Sequence, residues 1–167
     1  IYTLVIGKHY SPAEVGYYNQ ASKFENVFAS TFTSIIMKVS LPTLVQFRDD
    51  KIKLKNAYAK IFTTTCFVIA PLMALLFVIA EPFFTVLLTD KWLPAVPYFQ
   101  LLCLYGATLP IIQISYNIYK LFGKGKMLLA IDSCRHILMI VAIFLTIKHG
   151  ISIMLMGQFL VMFIMSF

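Results

Sequence analysis

Apolar residues fall in long blocks separated by short charged breaks. Residues 61–80, 93–119 and 150–167 contain no Asp, Glu, Lys or Arg. An apolar run of about 18 or more residues is the length that carries a helix across a ~30 Å hydrocarbon core. No strict polar–apolar alternation persists over ten-residue stretches, which argues against a membrane-spanning β-barrel. The pattern predicts an all-α, polytopic membrane protein. Complete spans are expected at about 14–47, 61–89, 94–122 and 127–147, flanked by truncated spans at 1–7 and 151–167. Both ends lie inside apolar stretches, so the chain reads as part of a longer bundle.

Punctuation residues support these limits. Ser11-Pro12 with Glu14 suits a helix start, because proline fits the first turn and an acid favours the positive end of the helix dipole. Asp49 and Asp50 are good capping residues. In the linker 48–60 (RDDKIKLKNAYAK), Leu54, Ala57, Tyr58 and Ile61 recur at helical spacing. That predicts a short amphipathic helix on the membrane surface, with its lysines among the headgroups. Pro42 is expected to bend the first full span. Pro71 and Pro110 fall inside apolar helices, where a bundle can satisfy the freed carbonyls.

Composition confirms the class. Hydrophobic residues make up 60% of the 167 and charged residues only 13%; a soluble domain usually has about 45–50% and about 25%. The net charge of +7 does not imply nucleic-acid binding, because the basic residues cluster between spans. Five lie in 48–60 (Arg48, Lys51, Lys53, Lys55 and Lys60) and three in 120–126 (Lys120, Lys124 and Lys126). The loops 8–16, 89–93 and 148–150 have one each. The rich loops alternate with the poor ones, so the positive-inside rule makes 48–60 and 120–126 cytoplasmic. Cys66, Cys103 and Cys134 stand singly, with neither pairing nor metal spacing. No enzyme motif is present and no cofactor is called for.

Two polar constellations remain. At about 100° per residue, Lys23, Asn26, Ser30, Ser34 and Lys38 share one arc of the first full span, opposite Phe24, Phe28, Ile35 and Val39. Charge within a span is expensive and usually faces a bundle interior or a wet cavity. Lys23 reads equally as a snorkelling residue. Lys38 lies deeper and is expected to face a cavity. Glu25 points off this arc, towards a pairing or headgroup contact. The second constellation is Asp132, Arg135 and His136 on one face of the last full span. It reads either as a structural ion pair or as a functional group, with Arg135 contacting an anionic substrate and Asp132 or His136 coupling to a cation. Gln113, Ser115, Tyr116, Asn117 and Tyr119 form a further polar patch that could line a cavity or bridge helices. Trp92 suits an interfacial anchor.

The stretch GYYNQASKFENVFASTFTSIIMKVSLPTLVQFRDDKIKLKNAYAKIF, and AEPFFTVLLTDKWLPAVPYFQLL after it, resemble the bacterial polysaccharide-biosynthesis flippases. Those proteins belong to the multidrug/oligosaccharidyl-lipid/polysaccharide exporter superfamily. The GYYN start, Pro42 followed by the Arg48-Asp49-Asp50-Lys51 loop, Ala57-Tyr58, Ala80-Glu81-Pro82, Lys91-Trp92 and Pro97 carry the resemblance, which covers most of residues 10–150. It implies part of the second half of a two-half, MATE-like transporter of the bacterial inner membrane. The substrate would be a polyprenyl-pyrophosphate-linked oligosaccharide destined for O-antigen, capsule or exopolysaccharide. Membrane lipids would surround the protein, and proton or sodium coupling would be possible. By chemistry, Lys23, Lys38 and Arg135 suit a cationic cavity. The rivals are a cation-coupled multidrug exporter of the same superfamily, a membrane enzyme acting on lipid-linked sugars, and a structural subunit.

Overall fold

The computed structural model describes residues 2–165, with side chains from residue 6 onward. The outermost residues of the two truncated spans, 1 and 166–167, lie outside the described residues. The order is α1 (Tyr2–His9), α2 (Pro12–Gln46), α3 (Lys51–Val78), α4 (Ala80–Leu88), a 3₁₀ turn (Asp90–Ala95), α5 (Val96–Leu121), α6 (Gly125–Thr146) and α7 (Ile151–Met165). Four segments are long and apolar enough to cross a membrane: Pro12–Gln46, Lys51–Val78, Asp90–Leu121 and Gly125–Thr146. Large apolar side chains point outward along them: Phe67 is 80% exposed, Val78 75% and Phe144 73%. In water these faces would favour aggregation; in a bilayer they suit lipid chains or further helices of the bundle. The protein is an all-α polytopic membrane protein.

Local chemistry sets the helix limits. Ser11 Oγ accepts the Glu14 amide at 3.3 Å while Glu14 Oε2 accepts the Ser11 amide at 3.0 Å, a reciprocal capping box. Asp50 Oδ1 accepts the amides of Ile52 and Lys53 at 3.1 and 3.0 Å and so starts α3. That bond from the Lys53 backbone, with the Lys53 ammonium beside it, holds the Asp50 carboxyl below the usual aspartate value. Gly123, at a φ of 66°, ends α5 in a left-handed turn in which the Lys124 amide donates back to Tyr119 O at 2.9 Å.

Two expectations about helix limits are corrected. The residues assigned to a separate surface helix are the first turns of α3, which runs unbroken from Lys51 to Val78. Asp50 supplies the only cap in that region, and nothing between Lys51 and Ile61 breaks a helix. The segment 61–89 divides instead at Ile79, between α3 and α4. Pro82 explains the break: it cannot donate to the Val78 carbonyl and its ring crowds that group. Pro42, Pro71 and Pro110 all stay inside continuous helices.

Helix α5 is the hub and touches α2, α3, α6 and α7; α6 packs on α5 and α7. A cluster of phenylalanines ties α4 to α2 and α5. Phe83 stacks on Phe99 with centroids 5.8 Å apart, and Phe24 meets Phe83 edge-on at 5.4 Å. A second small core joins Leu44, Leu54 and Leu121, from the end of α2, the start of α3 and the end of α5. This cluster brings the two lysine-rich connections to one end of the bundle. At the other end, Tyr10 Oη donates to Ile147 O at 2.5 Å, and Tyr17 meets Trp92 edge-on at 5.9 Å. The lysine-poor connections thus gather together.

Candidate functional site

Lys23, Asn26, Ser30, Ser34 and Lys38 are all exposed, on the side of α2 turned away from α5. The buried side of α2 carries Tyr18, Ala21, Glu25, Ala29, Ser40 and Leu44. Polar groups on the exposed face are partly satisfied by their own helix. Asn26 Nδ2 donates to Ser22 O at 2.7 Å and Ser34 Oγ to Thr31 O at 2.8 Å. Such back-bonding lowers the cost of a hydroxyl or amide in a span. Lys23 and Lys38 form no ion pair among the described residues, so both ammonium groups stay available.

Asp132, Arg135 and His136 lie on α6, which makes no extended contact with α2. The structure does not bring the two constellations together. Arg135 bonds Asp132 Oδ1, and its guanidinium carbon sits 5.8 Å from the Tyr116 ring centroid. Tyr116 Oη also donates to Asp132 Oδ1, at 3.3 Å. His136 Nδ1 lies 2.7 Å from Asp132 O and 3.7 Å from Asp132 Oδ2. The charge of Arg135 is therefore largely compensated by its neighbour, unlike that of Lys38. Arg135 Nε is buried and has no hydrogen-bond partner among the described residues.

Three residues of the polar patch on α5 bridge helices, and Ser115 and Tyr119 also line a cavity beside α3. These three each reach a different helix: Asn117 Nδ2 donates to Ser40 Oγ of α2 at 2.8 Å, Ser115 Oγ lies 3.2 Å from Tyr58 Oη of α3, and Tyr116 reaches Asp132 of α6.

Glu25 is the polar residue that sequence reasoning misplaced. It is 3% exposed and, among the described residues, forms no ion pair and has no hydrogen-bond partner for its Oε1. It lies near Tyr18, Cys103 and Tyr105. Its carboxyl presses on Gly106 of α5, where a Cβ would stand 2.6 Å from Glu25 Oε1. Among the described residues it finds no pairing partner, and its burial against α5 leaves it facing away from a headgroup contact. On α7, Gln158 bonds the Tyr105 side chain, while its buried Oε1 has no hydrogen-bond partner among the described residues by distance and angle.

A model of the family described as "Polysaccharide biosynthesis protein" matches residues 1–97, more than half of the chain. The chain belongs to this family. Similar curated proteins come from three bacteria. An uncharacterized membrane protein in the cps region of Klebsiella pneumoniae is 31% identical over 64% of this chain and 22% of its own length. The succinoglycan biosynthesis transport protein ExoT of Rhizobium meliloti is 28% identical over 75% of this chain and 25% of its own. The lipopolysaccharide biosynthesis protein WzxC of Escherichia coli is 28% identical over 62% and 21%. The chain thus spans about a quarter of the length of the curated relatives it matches. No solved structure matches it.

Proposed function

We propose that the full-length protein flips a polyprenyl-pyrophosphate-linked oligosaccharide across the bacterial inner membrane for surface polysaccharide synthesis. Membership of the polysaccharide biosynthesis family supports this reading, as do relatives named for succinoglycan transport and lipopolysaccharide biosynthesis. The observation that carries the mechanism is the stripe on α2. Two unpaired lysines and three small polar side chains cover one face of a span and are not used in packing this part of the bundle. In the complete transporter this face lines the path. Lys23 and Lys38 attract the pyrophosphate, while Asn26, Ser30 and Ser34 hydrogen-bond the sugar hydroxyls. Arg135 is a second cationic candidate, on α6, with its charge largely compensated by Asp132. Asp132 and His136 are the groups that respond to a coupling proton or sodium ion. The gathering of the lysine-rich turns at one end supports a cytoplasmic placement of 48–60 and 120–126.

The test is complementation of a flippase-deficient strain. Lys38→Ala in the full-length protein lowers surface polysaccharide while membrane levels of the protein stay normal. Wild-type polymer levels from a Lys38→Ala, Arg135→Ala double variant would remove the cavity assignment. Restored drug efflux without polymer export would favour an exporter instead.

A further inference from the structure

The first two turns of α3 and the last two turns of α5 run side by side at the lysine-rich end. Between them lies an open cavity of about 470 Å³, walled by Lys51, Lys55, Tyr58, Ser115 and Tyr119. Its floor is Leu54 and Ile118, part of the small core that also holds Leu44 and Leu121. Lys51 and Lys55 are one helical turn apart and so share this wall. Lys53 is tied to Asp50 at 3.2 Å, whereas Lys51 and Lys55 form no ion pair among the described residues. Tyr58 Oη and Ser115 Oγ, 3.2 Å apart, close the inner edge.

One turn deeper on the same seam is a second cavity of about 370 Å³. Its lining is almost wholly apolar and includes Phe62, Cys66, Leu104, Ile111 and Phe159. Tyr58 stands at the junction, its ring stacked on that of Phe62 at 6.1 Å. A cationic, hydroxyl-lined mouth thus lies one turn from an apolar slot on the same seam, with Tyr58 and Ser115 between them. That order of chemistry fits an amphiphile with an anionic phosphate and a hydrocarbon chain. The site uses neither the α2 stripe nor Arg135.

We propose that this seam binds an anionic glycerophospholipid. The phosphate sits between Lys51, Lys55 and the hydroxyls of Tyr58 and Tyr119, and one acyl chain lies in the slot beside Phe62. A phospholipid is favoured over the carrier lipid because the mouth opens at headgroup level, where anionic phospholipids are abundant and lysines attract them. Bound there, the lipid adds to the small core of Leu54, Leu121 and Ile118 in fastening the start of α3 to the end of α5.

The experiment uses full-length protein in neutral detergent, titrated with phosphatidylglycerol and read by native mass spectrometry. Each lysine near a surface of anionic lipid contributes about 1 kcal/mol, so Lys51→Gln with Lys55→Gln weakens binding about 30-fold. Lys53→Gln, whose charge is already paired, changes it by less than about threefold. Phosphatidylglycerol carrying a photoreactive acyl chain labels the 62–66 and 159–163 segments in the wild type, which keeps the proposal testable should the double variant misfold. Equal affinity in the double variant overturns the proposal, as does labelling confined to other helices. Displacement by a polyprenyl pyrophosphate at a tenth of the phosphatidylglycerol concentration also overturns it and makes the seam a site for the carrier.

Discussion

Gly106→Ala tests the packing of α2 on α5 at its tightest polar point. Two effects of similar size oppose each other there. Replacing glycine by alanine inside a helix is favourable by about 0.8–1 kcal/mol. The new methyl, however, would stand 2.6 Å from Glu25 Oε1 and 3.5 Å from Met73 Cε. Overfilling a packed interior typically costs about 1–3 kcal/mol. The carboxyl can swing only within the buried α2–α5 contact, since Glu25 is 3% exposed. The single variant is therefore expected to be destabilised by up to about 2 kcal/mol, the difference of the two effects. With Glu25→Ala already present the clash is gone, and Gly106→Ala then stabilises by up to about 1 kcal/mol. The coupling in this double-mutant cycle is about 1–3 kcal/mol. Unfolding of the purified full-length protein in detergent, by denaturant titration or thermal melting, supplies the four stabilities. A cycle that closes to zero, with Gly106→Ala stabilising in both backgrounds, refutes the contact.

Other expectations follow from the same geometry. Arg135→Ala leaves Asp132 with Tyr116 and His136 as partners and lowers stability by about 1–3 kcal/mol; Asp132→Asn added to it recovers part of that loss in the same melting assay. Asn117→Ala strands Ser40 Oγ in a buried site and costs about 1–3 kcal/mol, whereas Asn117→Ala with Ser40→Ala costs less per group. The Asp50 carboxyl is held low in the folded protein, so its stabilising effect is fully present above the unfolded aspartate value of about 3.9 and is lost as the pH falls through the lower folded value. The melting-temperature gap between wild type and Asp50→Ala is therefore expected to be constant above about pH 5 and to narrow in stronger acid.

Much of the fold was legible because the membrane makes hydrophobic length a direct signal. The capping chemistry of Ser11, Glu14 and Asp50 is local and could be read before any contact was known. The continuity of α3 was harder, because polar, helix-favouring residues from Lys51 to Lys60 look alike whether they lie on a surface or extend a span. Glu25 illustrates the deeper limit. Its position on α2 showed only that it leaves the lysine stripe. That it meets Gly106, 81 positions further along, depends on which helix packs against that side, and no local pattern carries this. Bridging was one of two readings open for Ser115, Tyr116 and Asn117, but their partners were hidden for the same reason, since each lies on a different helix. The stripe itself was visible from periodicity alone.

Translocation by the purified full-length protein is the most direct test of the central claim. A fluorescent polyprenyl-pyrophosphate oligosaccharide is placed in proteoliposomes, and its appearance in the opposite leaflet is followed with a membrane-impermeant quencher. A charge-assisted contact to the pyrophosphate contributes about 1.5–3 kcal/mol, so Lys38→Ala is expected to slow flipping about 10- to 100-fold relative to wild type. Wild-type protein that moves the lipid no faster than empty liposomes, or a Lys38→Ala variant that moves it as fast as wild type, would contradict the account.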